Sequence, residues 1–167
     1  MADPAAWSIG YARQAKADFE TFEKLQLMSV PECHKLIFLQ MACEKLVKAH
    51  LCAANADPAL LQTSHDFTAG TLPVVLRQHA VVINYSGPAA RETLRHAKLL
   101  AQEIEVLAPA VNRNGQRADN CEYPWEDAGG TLHVPLDWTF YPSQLLVQRA
   151  GMRAIKLIGG AIDRFVP

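Results

Sequence analysis

The chain has 167 residues, of which half are hydrophobic and a fifth are charged. This length suits a single domain, residues 1–167, whose core needs no metal or disulfide for stability. The composition excludes a disordered chain. The formal net charge of -1, from 16 basic and 17 acidic residues, argues against a broad surface for duplex DNA or for an anionic membrane.

The ends of the chain and its cysteines bear on where the protein resides. The first ten residues carry Asp3 and no basic region followed by an apolar run, so they do not resemble a signal peptide. No stretch approaches the roughly 18 apolar residues that span a bilayer. The four cysteines lack CxxC spacing, and Cys33, Cys43 and Cys52 fall in one predicted helix. We therefore expect a soluble, cytoplasmic protein with reduced and mostly buried cysteines.

Helical spacing of apolar residues predicts the first two helices. The first ends at Ser29, which with Pro31 and Glu32 forms the pattern of a capping box. That box opens a second helix, from Pro31 to Asn55. The apolar positions of the first helix are Ala12, Ala15, Phe19, Phe22 and Met28, and those of the second are Leu36, Leu39, Cys43, Leu46, Val47 and His50.

Two more helices follow. The third is predicted from Thr68 to Ile83, where Ser86-Gly87-Pro88 ends it and starts the fourth. The fourth keeps its apolar rhythm as far as Pro109. Its apolar positions are Leu94, Ala97, Ala101, Ile104 and Ala108.

Residues 112–141 have no helical rhythm but are rich in glycine, proline and aromatic residues. A loop this long inside a compact domain tends to be functional or locally folded, and its aromatic content indicates that it packs on the helices. A short hairpin is predicted between 131–134 and 139–141. The aromatic residues are Tyr123, Trp125, Trp138, Phe140 and Tyr141.

The last segment, Ser143 to Val166, is predicted as one helix with Val147 among its inward residues. Gly151, Gly159 and Gly160 are unfavourable there by about 1 kcal/mol each. Either a neighbouring backbone approaches closely or the helix frays after Ile158. The whole pattern predicts an all-α fold, an up-and-down bundle of about five helices with a long irregular insertion between helices four and five.

The second helix resembles the signature helix of HEPN domains. It carries Gln40, then Glu44 and Lys45, then Lys48 and Ala49, at the offsets of that family's Gln, Glu-Lys and Lys-Ala pattern. Two further pieces come in the order that the family has them. Ser64-His65-Asp66-Phe67 is similar to its Thr/Ser-His-Asp-Leu step, and 120–125 is similar to its Arg-Tyr-Pro element, with Glu122 where arginine is usual. The resemblance spans residues 12–165.

The spacing of Gln40, Glu44 and Lys48 places them in one polar stripe, with Glu44 before Lys48 in the favourable orientation. The stripe is interpreted either as a solvated salt bridge worth a few tenths of a kcal/mol, or as a subunit interface or the rim of a nucleotide pocket. The resemblance favours a homodimer, because HEPN domains pair through helices.

Catalytic HEPN proteins are RNases that use an arginine followed four to six residues later by a histidine. Arg91 and His96 have that spacing. The resemblance implies that a functional pair comes from two subunits and meets in a composite site, with His96 as the base for a ribose 2'-hydroxyl and Arg91 stabilising the phosphorane. Chance alone yields about one such match in this composition. Glu92 follows Arg91 where the family usually has a polar Asn, Asp or His, and its negative charge would repel phosphate. The alternative is a histidine and an arginine on the bundle surface.

The residue spacing argues against several other types of site. No Glu-x-x-His or His-x-x-x-His spacing occurs, so we expect no metal site, and no glycine-rich nucleotide loop or nucleophile elbow occurs either. We expect no cofactor. His65 and Asp66 are predicted to cap or brace the third helix rather than to bind a ligand.

The long loop is the main candidate for ligand binding. Arg113 and Arg117 could meet phosphate, while Tyr123, Trp125 or Trp138 offers a face on which a base can stack. The alternative is that the aromatic residues seal the end of the bundle and the arginines stay in solvent.

The resemblance implies two broad roles. One is a non-catalytic dimer that binds nucleotide, RNA or a partner protein such as a nucleotidyltransferase. The other is a metal-independent, toxin-like RNase. The first fits the near-zero charge and the weak Arg91 and His96 motif better. A purely structural dimerisation module is a third hypothesis.

Overall fold

The fold is all-α, as the sequence predicts. A computed structural model describes residues 3–109 and 119–166. Within these ranges there are seven α-helices, one two-stranded antiparallel sheet and a 3-10 turn. The elements are α1 (Pro4–Gln26), α2 (Glu32–Ala53), α3 (Pro58–Thr63), α4 (Thr68–Val82), α5 (Gly87–Glu105), β1 (Trp125–Glu126), β2 (Leu132–His133), the 3-10 turn (Pro135–Asp137), α6 (Tyr141–Leu146) and α7 (Arg149–Asp163).

The five long helices form the bundle, and their apolar faces share one core. α1 and α2 lie side by side in opposite directions, and the Ser8 hydroxyl near the start of α1 donates to the Ala49 carbonyl near the end of α2 at 2.9 Å. The largest fully buried side chains of this core come from four helices, α2, α4, α5 and α7. They include Leu39, Leu46, Leu72, Leu76, Leu100, Ile104 and Ile158.

The five predicted helices match α1, α2, α4, α5 and α7, but the predicted capping box between the first two is wrong. Pro31 is the N-cap of α2 and no side chain bonds the free backbone N–H groups there. Glu32 instead pairs with Lys35 at 3.0 Å and accepts a hydrogen bond from the Ser143 hydroxyl at 3.0 Å. Glu32 therefore ties α2 to α6.

The last predicted helix is two helices. α6 ends at Leu146, Val147 is 76 % exposed rather than inward, and Gln148 is the N-cap of α7. A Cβ on Gly151 would lie 2.0 Å from the Leu145 carbonyl oxygen, so the turn between the two helices requires glycine there. α7 continues to Asp163.

Close approach, and not fraying, accounts for the other two glycines of α7. A Cβ on Gly159 would lie 2.7 Å from the Phe19 ring, and one on Gly160 would lie 2.9 Å from the His79 imidazole. The neighbours are side chains of α1 and α4, whereas the sequence suggested a neighbouring backbone. Fraying after Ile158 is wrong, because the helix runs on for five residues.

The insertion holds a hairpin, but not the predicted one. Trp125 pairs with His133 and Glu126 with Leu132. The strand that pairs with the 131–134 segment therefore precedes it in the sequence, instead of following it at 139–141 as predicted. Asp127 determines the turn, because its Oδ1 accepts from the Gly129 and Thr131 amides at 2.8 and 3.0 Å.

A second, smaller core joins the insertion to the bundle. Phe140 is fully buried and packs with Cys121, Cys33, Leu36 and Leu107. All four cysteines are free and buried, as the sequence predicts. The described part of the insertion is therefore packed against α2 and the end of α5.

Candidate functional site

The polar stripe of α2 forms a buried network around one carboxylate. Glu44 accepts hydrogen bonds from the Gln40 amide at 2.7 Å and from the Lys48 ammonium at 2.6 Å. Glu44 is only 8 % exposed and Lys48 only 4 %. The predicted pair of Glu44 and Lys48 exists, but it is a buried ion pair and not a solvated one. A buried charge needs such partners because leaving water is unfavourable.

His65 completes this network from the loop between α3 and α4. Its Nδ1 lies 3.0 Å from Oε1 of Glu44 and 3.1 Å from Oε2. A carboxylate only accepts, so Nδ1 carries the proton. His65 therefore bonds α2 and does not cap the next helix. Asp66 accepts a short hydrogen bond from the Ser64 hydroxyl in the same loop.

The start of α4 is capped from another helix. Oε2 of Glu105, at the end of α5, accepts from the Ala69 amide at 2.7 Å. Burial, together with the nearby Asp66 and Glu44 carboxylates, raises the pKa of Glu105 above its ordinary value, while the helix amides oppose this rise. No residue pattern in the sequence indicated this contact.

Lys45 of α2 pairs with α1. Its ammonium makes a short ion pair with Asp18, which is almost fully buried and also accepts from the Gln14 amide at 3.0 Å. Lys45 keeps about a fifth of its side chain exposed. Its charge is thus partly neutralised by α1 before any ligand arrives.

One cavity of about 420 Å³ joins α2 to the insertion. It brings together residues of the helix-two signature, the His65 loop and the 120–125 element, which lie far apart in the sequence. We name it the α2 cavity. Its lining consists of Gln40, Met41, Glu44, Lys45, His65, Ala108, Pro109, Glu122 and Tyr123.

Tyr123 reaches this cavity because the segment before it makes a tight turn. The Asn120 side-chain oxygen accepts from the Glu122 amide at 2.9 Å and from the Tyr123 amide at 2.7 Å. Asparagine at the start of a turn bonds the backbone two and three residues on. Asn120 is a positioning residue that the sequence analysis missed, although asparagine favours turns. The Tyr123 side chain stays 60 % exposed.

The two predicted tryptophans do not line the cavity. Trp125 and Trp138 pack edge to face with ring centroids 5.3 Å apart, and His133 lies 4.9 Å from Trp138. Asp127 holds His133 at 2.9 Å. These rings form a small cluster within the hairpin. Arg113 and Arg117 lie outside the described residues.

Arg91 and His96 occupy different surroundings on α5. Arg91 is exposed, whereas His96 is buried and its Nε2 donates to the Leu145 carbonyl at 3.0 Å. Five residues along a helix separate two side chains by about 140° around the axis. Within one chain the structure does not bring them together, and His96 links α5 to α6.

Glu92 also has a structural partner. It makes a short ion pair with Arg153 of α7, whose Nε donates to the Thr93 hydroxyl at 2.9 Å. The Glu92 charge that follows Arg91 therefore joins α5 to α7.

The described residues provide no metal centre and no membrane span. No group of three or more His, Cys, Asp or Glu side chains among them is placed to hold a metal ion. No described helix is both long and apolar enough to cross a bilayer.

Comparison with known proteins adds no relative. No family model matches the chain, and neither the curated proteins nor the solved structures include a match. The structure alone establishes the fold class, an all-α helical bundle, and the HEPN resemblance stays a prediction.

Proposed function

We propose that this protein is a non-catalytic, HEPN-like helical module that binds the base of a nucleoside or nucleotide in the α2 cavity. One observation carries the proposal. Gln40 and Glu44, which carry the resemblance on α2, and the aromatic Tyr123 of the insertion line the same cavity. The sequence offered a polar helix stripe and an aromatic loop as separate candidates.

The size and chemistry of the cavity support a base-sized ligand. Small-ligand sites typically enclose about 300–1,000 Å³ and combine apolar walls with a few converging polar groups. Here Met41 and Pro109 supply apolar surface, and Gln40, Glu44 and His65 supply polar groups.

The charges of the lining determine which end of the ligand enters. Glu122 is an acceptor that suits the exocyclic amino group of a base, whereas both Glu44 oxygens are already engaged within the buried network. The Glu122 carboxylate also disfavours a phosphate in the cavity, and the Lys45 charge is already paired with Asp18. The base therefore points inward and the phosphate points to solvent.

Tyr123 supplies a stacking surface at this site. Its ring is largely exposed in the free protein, so no packing contact has to break before a base stacks on it. A base stacked on an aromatic ring contributes about 1–3 kcal/mol.

Calorimetric titration of the four ribonucleosides and their 5'-monophosphates tests the proposal. Adenosine, cytidine and guanosine should bind, and uridine, which lacks an exocyclic amine, should bind more weakly. Each monophosphate should bind within a few fold of its nucleoside. Tyr123→Ala should weaken binding at least about fivefold. Tyr141→Ala, which removes a half-exposed tyrosine outside the cavity, should leave binding unchanged.

Two outcomes contradict the proposal. One is that no nucleoside binds at millimolar concentration. The other is that Tyr123→Ala and Tyr141→Ala have equal effects. Cleavage of RNA that is lost in an Arg91→Ala/His96→Ala variant would instead favour the RNase alternative. A nucleotidyltransferase partner stays a prediction of the resemblance.

A further inference from the structure

A second surface feature lies between α1 and α7. The C-terminal half of α1 and the N-terminal half of α7 enclose an apolar groove of about 660 Å³, which we name the α1/α7 groove. Phe22, Leu146 and Ile155 form its floor, and Leu27 and Met152 stand at its edges. None of these residues lines the α2 cavity.

Large apolar side chains at the edges of this groove are exposed to solvent. Leu27 is 90 % exposed and Met152 is 51 % exposed, and Met28 and Val147, next to groove residues in the sequence, are also exposed. Contiguous exposed apolar surface marks an interaction site on most soluble proteins. Methionine and other large apolar side chains are typical of the buried centre of protein interfaces. The groove therefore has the character of an uncovered interface.

Two opposite charges flank the groove, one on each helix. Glu23 lies on α1 and Lys156 lies on α7, and both side chains are exposed. No ion pair within the described residues involves either of them, whereas Lys16 and Asp163, further along the same two helices, pair with each other at 2.9 Å. In the described part of the chain, neither the acidic nor the basic side of the groove forms an ion pair.

We propose that a second copy of this chain covers the α1/α7 groove in a two-fold symmetric dimer. In such a dimer the same patch faces itself, so a residue on one side of the groove meets the residue from the opposite side in the partner. Glu23 of each copy then meets Lys156 of the other. The apolar edges around Leu27 and Met152 fill the facing groove, and both unpaired charges are neutralised without any other protein.

This inference is independent of the α2 cavity. The dimer needs no ligand, and the calorimetric titration needs no dimer. Its interface also differs from one built around Arg91 and His96, because Arg91 lies on the outer face of α5 and neither residue lines the groove.

Charge reversal followed by analytical ultracentrifugation over a concentration series tests the inference. The wild-type chain should sediment as a dimer at high concentration. Glu23→Lys alone, or Lys156→Glu alone, places like charges opposite each other twice and should raise the dimer dissociation constant about tenfold or more. An equimolar mixture of the two variants should dimerise again, since each reversed charge then meets its opposite.

Controls separate this effect from general charge and folding effects. Arg95→Glu, on the outer face of α5, should dimerise like the wild type. Circular dichroism should give all variants the same helix content, because each change is on an exposed side chain. A monomeric wild type at every concentration overturns the inference. So does a dimer that both single reversals leave unchanged, and so does a groove that binds a helical peptide while the chain itself stays monomeric.

Discussion

Glu44 is the residue on which the candidate site depends. Three donors from two segments converge on its carboxylate, and the side chain is buried with its cationic partner Lys48. Removing one member of a buried ion pair leaves the other charge without compensation, which destabilises more than removing both. The network thus supports the fold while one of its faces lines the cavity.

A single and a double substitution test whether this buried ion pair stabilises the fold. Glu44→Leu should lower the free energy of unfolding by about 3 kcal/mol, because the Lys48 ammonium stays buried and unpaired. Glu44→Leu/Lys48→Met should recover at least about half of that loss. Urea unfolding monitored by circular dichroism gives both values. Lys16→Met, which breaks an exposed pair, should have little effect, and equal losses in the single and double variants would contradict the network.

His50 provides a pH-dependent readout of the core. Burial lowers its pKa below the ordinary value of about 6.5, and its ring packs edge-on against Phe165 with centroids 4.8 Å apart. Burial also lowers the pKa of His79, as does the nearby Arg164. Below about pH 6.5 the unfolded chain binds these protons before the folded one does, so stability falls as pH falls through that range.

The unfolding free energy of the wild type should therefore decrease as the pH falls from 7.5 to 5. Carboxylates that titrate near the lower end of this range add their own contributions. His50→Gln should make this decrease shallower, since glutamine does not titrate. Urea unfolding at several pH values in that interval measures both slopes. Identical slopes for the wild type and the variant would show that His50 is not buried as described.

At the scale of elements, the sequence predicts what depends on local spacing. Apolar residues three and four apart identify the five long helices because each helix buries one face. The break between α6 and α7 was not predicted, because neither residue at the break, Val147 or Gln148, is proline or glycine. The helical spacing of apolar residues also continues through them. Gly151 was the visible signal, but its reason is a contact with Leu145 that only the folded chain shows.

That contact makes a matched pair of glycine substitutions informative. Gly151→Ala should destabilise the protein by about 2 kcal/mol or more, because the new methyl group overlaps the Leu145 carbonyl. Gly70→Ala, in α4 with no atom within 4 Å of the added carbon, should stabilise it by about 0.5–1 kcal/mol. Thermal unfolding compares the two. A Gly151→Ala protein as stable as the wild type would rule out the tight turn.

In the hairpin, too, the local sequence predicts one part of the structure and tertiary contacts determine the other. Its turn, Asp127 to Gly130, has residues that favour turns, and Gly130 takes a left-handed φ of 81°. The predicted partner of 131–134 was the segment that follows it, 139–141, because aromatic residues lie on both sides of 131–134 in the sequence. Trp125 lies in the strand because it packs on Trp138 and His133, a tertiary contact that no spacing rule provides.

On the scale of the whole molecule, the α2 cavity joins two candidate binding features that the sequence analysis kept separate. Its described lining comes from four separate stretches, 40–45, 65, 108–109 and 122–123. The sequence marked Gln40, Glu44 and Lys45 by resemblance and Tyr123 by aromatic content, but it assigned them to different roles. They meet because the small core around Phe140 and Cys121 packs the insertion against α2.

Hydrogen exchange with and without a saturating nucleoside tests most directly whether the α2 cavity is the binding site. The account predicts slower exchange of the backbone amides at 120–123 and 64–66, the two loops that border the cavity, and unchanged exchange in the 127–131 turn of the hairpin. Protection that appears at 127–131 while 120–123 and 64–66 exchange as in the free protein would contradict it.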